Sequence, residues 1–112
     1  MNVKQREIWL VPFPFSDLSG TKVRPVLVLS KDEFNTSSED VVVCSITSNV
    51  TKEYYSIIIT SEALEEGNLV VQSSIKAENL VRLSKKLLIK KIGKLNGSIF
   101  SKVLEKMQKI FT

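Results

Sequence analysis

The run Glu7-Ile8-Trp9-Leu10-Val11-Pro12-Phe13-Pro14-Phe15 joins strand-forming residues to two prolines, which predicts a strand that leaves its ladder near Pro12. Residues 16–22 are rich in turn formers, and Arg24-Pro25 then leads into the apolar run Val26-Leu27-Val28-Leu29, read as a buried strand. Arg24 therefore stands where a loop meets a strand. Polar residues over 30–40 predict a short helical turn and a loop, and residues 41–46 and 54–60 predict two further strands. Residues 61–67 read as one capped helical turn ended by Gly67, followed by strands over 69–71 and 74–83.

Beyond residue 83 the period changes from two to that of a helix. Leu88, Ile89, Ile92 and Leu95 recur at helical spacing, as do Ile99, Phe100, Val103, Leu104, Met107, Ile110 and Phe111. Two closing helices are expected, broken at Asn96-Gly97 and with Ser98 near the second N-cap. Lys102, Lys106 and Lys109 fall on the polar side of the last one. Short strands followed by terminal helices point to the α+β class, as a small, strongly curved sheet or partly open barrel. With 112 residues, 43% of them hydrophobic and 25% charged, one domain over 1–112 with a modest core is expected. So small a domain favours a site shared across a dimer.

The formal charge of +4 is uneven. Residues 1–83 carry 8 Lys/Arg against 11 Asp/Glu, a balance of −3, whereas residues 84–112 carry 8 Lys against Glu105 alone, a balance of +7. Such a tail can attract phosphate backbones, or it can be ordinary solubilising surface. The single Cys44 lies in an apolar run with no histidine to activate it, so it reads as a core residue of a protein in a reducing compartment. No apolar stretch approaches the ~20 residues that cross a bilayer and the first residues lack the layout of a signal peptide, so a cytoplasmic location is expected.

With no histidine, imidazole acid–base catalysis, Ser-His triads and imidazole zinc sites are excluded. One cysteine cannot build a thiolate cluster, and no glycine-rich phosphate cradle is present. Neither a cofactor nor a metal is expected. The remaining Arg, Lys, Asp, Glu, Ser and Thr could cleave RNA by using the substrate's own 2′-hydroxyl as nucleophile. Such a site needs a base near that hydroxyl, a fixed cation on the phosphorane oxygens and a donor near the leaving oxygen. Arg suits the cation role because its planar fork meets two phosphate oxygens at once.

Residues 6–20, from Arg6-Glu7-Ile8-Trp9 to Asp17-Leu18-Ser19-Gly20, followed by Lys22-Val23-Arg24-Pro25-Val26-Leu27-Val28-Leu29-Ser30, resemble the first strand, loop and second strand of PemK/MazF-type toxins. Val41-Val42-Val43-Cys44-Ser45-Ile46-Thr47-Ser48 and Gln72-Ser73-Ser74-Ile75-Lys76-Ala77-Glu78-Asn79-Leu80, leading into residues 88–95, agree in order and spacing. The resemblance implies an SH3-like β-barrel with a C-terminal helix, a fold shared with CcdB-type toxins. It also implies a homodimer with RNA lying across the subunit interface, metal-independent and sequence-selective cleavage of single-stranded RNA, and a cognate antitoxin that occludes the groove. A non-catalytic binding module on the same scaffold is the alternative. Its gyrase-poisoning form ends in Trp-Gly-Ile, whereas this chain ends Ile110-Phe111-Thr112.

By the resemblance, Arg24 matches the arginine of the family's Arg-Pro motif and Thr47 the threonine that ends its third strand. Lys76 and Glu78 match a catalytic arginine and an acidic residue of some members. An edge ion pair for Arg24, a turn role for Thr47 and a surface ion pair between Lys76 and Glu78 are the structural alternatives. Phe15, Asp17, Ser19, Lys22 and Asn79 are the expected RNA contacts. Phe15 would stack on a base, while Trp9 and Phe13 stand equally as core or interface aromatics. The chain departs from the family pattern twice: Asp17, Leu18 and Ser19 occupy the region of a loop histidine, and Arg6 replaces the usual glycine before Glu7. Asp17 or Glu78 is left as the candidate base, with Asp17 also suited to capping its loop.

Overall fold

The computed structural model describes residues 2–14, 21–50 and 52–112. Its strands are β1 (Glu7–Pro14), β2 (Thr21–Val28), β3 (Asp40–Thr47), β4 (Ser56–Ile59), β5 (Leu64–Gly67), β6 (Ser73–Ser84) and β7 (Lys90–Leu95). The helices are α1 (Asp32–Ser37) and α2 (Gly97–Gln108). All neighbouring strands pair antiparallel, in one sheet of order β4-β6-β3-β2-β1-β7-β5.

Side chains alternate between the faces of a strand, so an apolar run with no polar alternation must bury both faces. The runs in β2 and β3 do so. Leu27, Cys44 and Ile46 join Ile8, Ile75, Leu95 and the α2 residues Phe100 and Val103 in one cluster. Val26, Val28, Val41 and Val43 join Val3, Val11 and Leu88 in a second, on the opposite face. The first cluster also takes Ile59 from one edge strand and Leu64 from the other, so the sheet curls until both edges reach the same core. Each fully buried aliphatic side chain contributes ~1.5–3 kcal/mol. The curl therefore repays the whole length of α2's apolar stripe.

Several sequence expectations are corrected. β1 does not leave its ladder near Pro12 but pairs with β2 as far as Pro14↔Thr21. Its pairing with β7 ends at Leu10, so the missing N–H groups of Pro12 and Pro14 fall on the side where no strand needs them. Residues 64–67 form β5 rather than part of a helical turn, only Ser61–Ala63 being helical, of 3-10 type. Residues 69–71 form no strand, and Val70 is 99% exposed.

Residues 88–95 are not a helix either. They supply β7, which satisfies the polar edge of β1 through Glu7↔Lys94, Ile8↔Gly93, Trp9↔Lys91 and Leu10↔Lys90. A glycine inside a helix costs ~1 kcal/mol, whereas here a side chain on Gly93 would lie 2.8 Å from the Glu66 carbonyl oxygen, so the strand requires it. α2 is capped by Asn96, whose side chain accepts from the Ile99 amide, and not by Ser98. Its stripe packs through Met107, while Phe111 is 74% exposed. The basic tail is divided: Lys91 pairs with Glu7 and Glu66, Lys94 with Glu65, and Lys85 donates to the Asn35 carbonyl. Lys102 and Lys106 stay on α2 and Lys109 caps its C-terminus, with Lys106 4.1 Å over the Tyr54 ring.

Cys44 is core, as the sequence indicates. Burial, with a smaller contribution from the charge of Glu78, pushes its thiol up to about 12 and keeps it protonated. No helix among the described residues is long and apolar enough to cross a membrane.

Arg6 has φ 78°, the left-handed region that a glycine would occupy at no steric cost. The conformation persists because the Arg6 amide donates to the Val28 carbonyl at 3.0 Å and its carbonyl accepts from Leu95 at 2.8 Å. The guanidinium adds bonds to the Leu95 carbonyl (2.9 Å) and Glu65 (3.1 Å). Arg6→Ala, which keeps the backbone conformation and loses the guanidinium bonds, should be less stable than Arg6→Gly by about 1 kcal/mol in urea unfolding. A glycine variant weaker than the alanine variant would show that the left-handed backbone carries no cost here.

Candidate RNA-cleavage site

β2 stops pairing with β3 at Val26↔Ser45, two residues short of Arg24 and Thr47, which the same register would set opposite one another. A cleft of about 610 Å³ opens there. Lys22, Val23, Arg24 and Pro25 line it from β2, and Ile46, Ser48 and Asn49 from the end of β3 and beyond. Leu69, Val70 and Val71 from the segment before β6, with Ser73 at its start, close it. Arg24 is half-buried, on a strand held by Val11↔Arg24 pairing to β1, so its backbone is fixed while its side chain borders the opening. The Thr47 hydroxyl oxygen accepts from the Asn49 amide at 3.1 Å, the strand-end turn role anticipated for it, and its proton is left for another acceptor.

A second polar group lies along the same face. Directly opposed residues in an antiparallel ladder share a face, so Lys76 of β6 stands between Ser45 of β3 and Ser56 of β4. Its ammonium donates to Glu53 at 2.6 Å and lies 3.7 Å from Glu78. The hydrogen bond to Glu53, reinforced by both carboxylate charges, raises the Lys76 pKa above its ordinary value and holds it cationic through neutral pH. Register then breaks: Ser45 faces Lys76 but Cys44 faces Leu80, so residues 77–79 bulge out of the β3 ladder. Glu78 and Asn79 are exposed by that bulge, and the Asn79 amide donates to the Ser45 hydroxyl at 2.8 Å.

The cleft thus brings Arg24 together with Lys22, while Lys76, Glu78 and Asn79 gather two strands away; Thr47 stands between the two groups. Phe15, Asp17 and Ser19 lie outside the described residues, as does the side chain of Phe13. Trp9 is half-buried, packs against the second cluster and donates its indole N–H to Glu7 at 3.1 Å. Ser45, Ser56 and Glu53 carry no motif and emerge only from the register. Among the described residues, no three Cys, Asp or Glu side chains gather as a metal site requires.

The sequence over residues 4–111 matches the family model described as "PemK-like, MazF-like toxin of type II toxin-antitoxin system". No curated relative matches it. Among solved structures, MazE–MazF from Deinococcus radiodurans is similar with TM-score 0.81 and 15% identity, covering 99% of this chain and 97% of that one. The Mycobacterium tuberculosis toxin MazF-mt6 is similar with TM-score 0.77 and 23% identity over 95% and 96%. An endoribonuclease from a Mycobacterial species gives 0.78 and 15% over 99% and 92%. These likenesses bear out the fold read from the sequence, a small curled barrel of antiparallel strands with a C-terminal helix. By the match across nearly its whole length, the chain belongs to the PemK/MazF toxin family of type II toxin–antitoxin systems.

Proposed function

We propose that this toxin is a sequence-selective endoribonuclease that cuts single-stranded RNA by attack of the substrate's own 2′-hydroxyl, without a metal. The observation that carries the proposal is the parting of β2 from β3, which leaves a cleft bordered by Arg24, with Thr47 at the strand position that the same register would set opposite it. Family membership supports it, as does the description of one similar structure as an endoribonuclease. Another similar structure, with TM-score 0.73, is an endoribonuclease in complex with its cognate antitoxin. A cognate antitoxin that covers the cleft is the corresponding partner here.

In this reading the Arg24 guanidinium holds two non-bridging phosphate oxygens and stabilises the charge that grows on them in the transition state. The Thr47 hydroxyl donates to the same phosphate. Strand spacing puts the α-carbons of Arg24 and Lys76 roughly 12 Å apart, a gap that two long side chains close from either side of a phosphodiester. Lys76, held cationic, stabilises the leaving 5′-oxygen and cannot serve as base. Glu78 removes the 2′-hydroxyl proton; the 2′-oxygen bonds to phosphorus as the bond to the 5′-oxygen breaks, and that oxygen leaves with a proton taken from solvent water. The products are a 2′,3′-cyclic phosphate and a 5′-hydroxyl. Phe15, Asp17, Ser19, Lys22 and Asn79 contact the RNA and select its sequence.

A homodimer with RNA across its two-fold axis completes the groove. Val23, Val70 and Val71, 52%, 99% and 53% exposed beside the cleft, are apolar surface that a second subunit would cover. Sedimentation should show a dimer at micromolar concentration, and a strictly monomeric protein would remove the shared groove. Purified protein should cleave long mixed-sequence RNA in EDTA and leave cyclic phosphate ends; a need for Mg²⁺, or equal cleavage of DNA, would overturn the 2′-hydroxyl mechanism. Arg24→Ala should slow single-turnover cleavage by ~100-fold or more, with Arg24→Lys recovering only part because the charge returns without the fork. Lys102→Ala, on α2, should weaken binding slightly and in a salt-dependent way. An unchanged single-turnover rate in Arg24→Ala would make Arg24 a structural residue.

A further inference from the structure

Lys76, on the polar face, is paired with two carboxylates, the charge type that an RNA phosphate would have to replace. Glu53 approaches to 2.6 Å from the turn before β4, closed by the Ser56 amide on the Glu53 carbonyl at 3.2 Å. The Glu53 side chain is 47% exposed and that of Lys76 21%, and the carboxylate occupies one side of the ammonium. A phosphate that binds Lys76 at this position competes with Glu53 for the ammonium. A second, independent feature points to an absent ligand. The hydroxyls of Ser56, directly across from Lys76, and of Ser74, two residues before it on the same face, are closed from solvent and have no hydrogen-bond partner. Ser74 is 0% exposed and faces Thr47 across the ladder. Buried hydroxyls are normally satisfied, because leaving one unpaired costs ~1–3 kcal/mol.

We propose that Glu53 is an internal stand-in for an RNA phosphate: it occupies Lys76 in the free toxin and is displaced when a backbone phosphate takes over the ammonium and the waiting Ser56 and Ser74 hydroxyls. The chemistry fits the exchange. A carboxylate offers two coplanar oxygens, which satisfy an ammonium from one side. A phosphodiester offers tetrahedrally arranged oxygens, which can accept from an ammonium and from hydroxyls on the strand below it. The ion pair that must break is open to solvent on the Glu53 side and so worth little, which makes displacement easy. Glu53 therefore tunes affinity at this face rather than blocking it. The inference rests on the proposal that RNA crosses this surface, though not on cleavage.

The test is binding of fluorescent random-sequence RNA carrying 2′-O-methyl groups, which cannot be cut by 2′-oxygen attack, to the full chain by anisotropy over a range of salt. Glu53→Gln should tighten binding about 2- to 5-fold, the worth of one exposed ion pair. It should also steepen the dependence of log affinity on log salt by about one, as one more cation becomes available to phosphate. In the Lys76→Met background the same substitution should have a much smaller effect, because the ammonium that Glu53 holds at 2.6 Å is gone. Unchanged or weaker binding by Glu53→Gln, or an equal effect with Lys76→Met, would overturn the exchange. A wild-type protein that fails to cleave RNA while Glu53→Gln still tightens binding would refute the endoribonuclease reading and support the exchange; a protein that binds no RNA refutes both.

Discussion

The interruption in the pairing of β3 with β6 is the constraint on which the rest of the molecule depends. Cys44 faces Leu80 and Ser45 faces Lys76, so three residues of β6 have no place in the ladder and the strand must bend around them. On one side of the bend β6 pairs with both β3 and β4; on the other it pairs with β3 alone. The bend brings the β4 edge round to the cluster that α2 covers, and it turns Ala77 inward among the buried apolar residues. The same bend turns Glu78 and Asn79 outward beside Lys76. Packing and the polar site are consequences of one local excess of chain.

Electrostatics follows from where that sheet leaves its carboxylates. Glu7 is buried, and its oxygens are satisfied by the Lys4 amide, the Trp9 indole and Lys91. A buried carboxylate without such partners would cost several kcal/mol. Glu65 and Glu66 of β5 take Arg6, Lys94 and Lys91. The strongly basic C-terminal quarter is therefore partly neutralised by the acidic middle of the chain. The cations are not spread as a uniform positive surface: a row of lysines lies along α2 and just past its end, Arg24 and Lys22 border the cleft, and Lys76 is held by two glutamates. Local pairing, not net charge, decides which cations an RNA could use.

Much of the candidate site was legible before the structure, but unevenly. Thr47 could be placed at a strand end from the polar residues that follow, but Arg24, expected at a loop–strand junction, lies inside β2, because Thr21, Lys22 and Val23 before it also pair with β1. Lys76 and Glu78 share a face by simple alternation, and they do meet. The partners of Lys76 could not be read this way. Glu53 is 23 residues distant in sequence, and Ser45 and Ser56 become its neighbours only through the registers of two different ladders. Arg6 is a different case. A departure from a family glycine marks a position, but only the backbone angle shows that the position is left-handed and that two carbonyl-anchored bonds hold it there.

The sequence by itself determined which segments are apolar on both faces, where the last helix runs, that Cys44 is core, and that imidazole chemistry is absent. These follow from composition and short-range periodicity, which act through the chain's own neighbours. Tertiary structure decided the elements whose partners are remote. Residues 88–95 have helical spacing yet become β7, because the open edge of β1 on one side and β5 on the other satisfy more backbone groups than an isolated short helix could. Residues 64–67 become β5 because Gly67 and Gly93 let two backbones approach where side chains would collide. A strand's hydrogen bonds are made to another segment, so its existence depends on what the rest of the chain brings beside it.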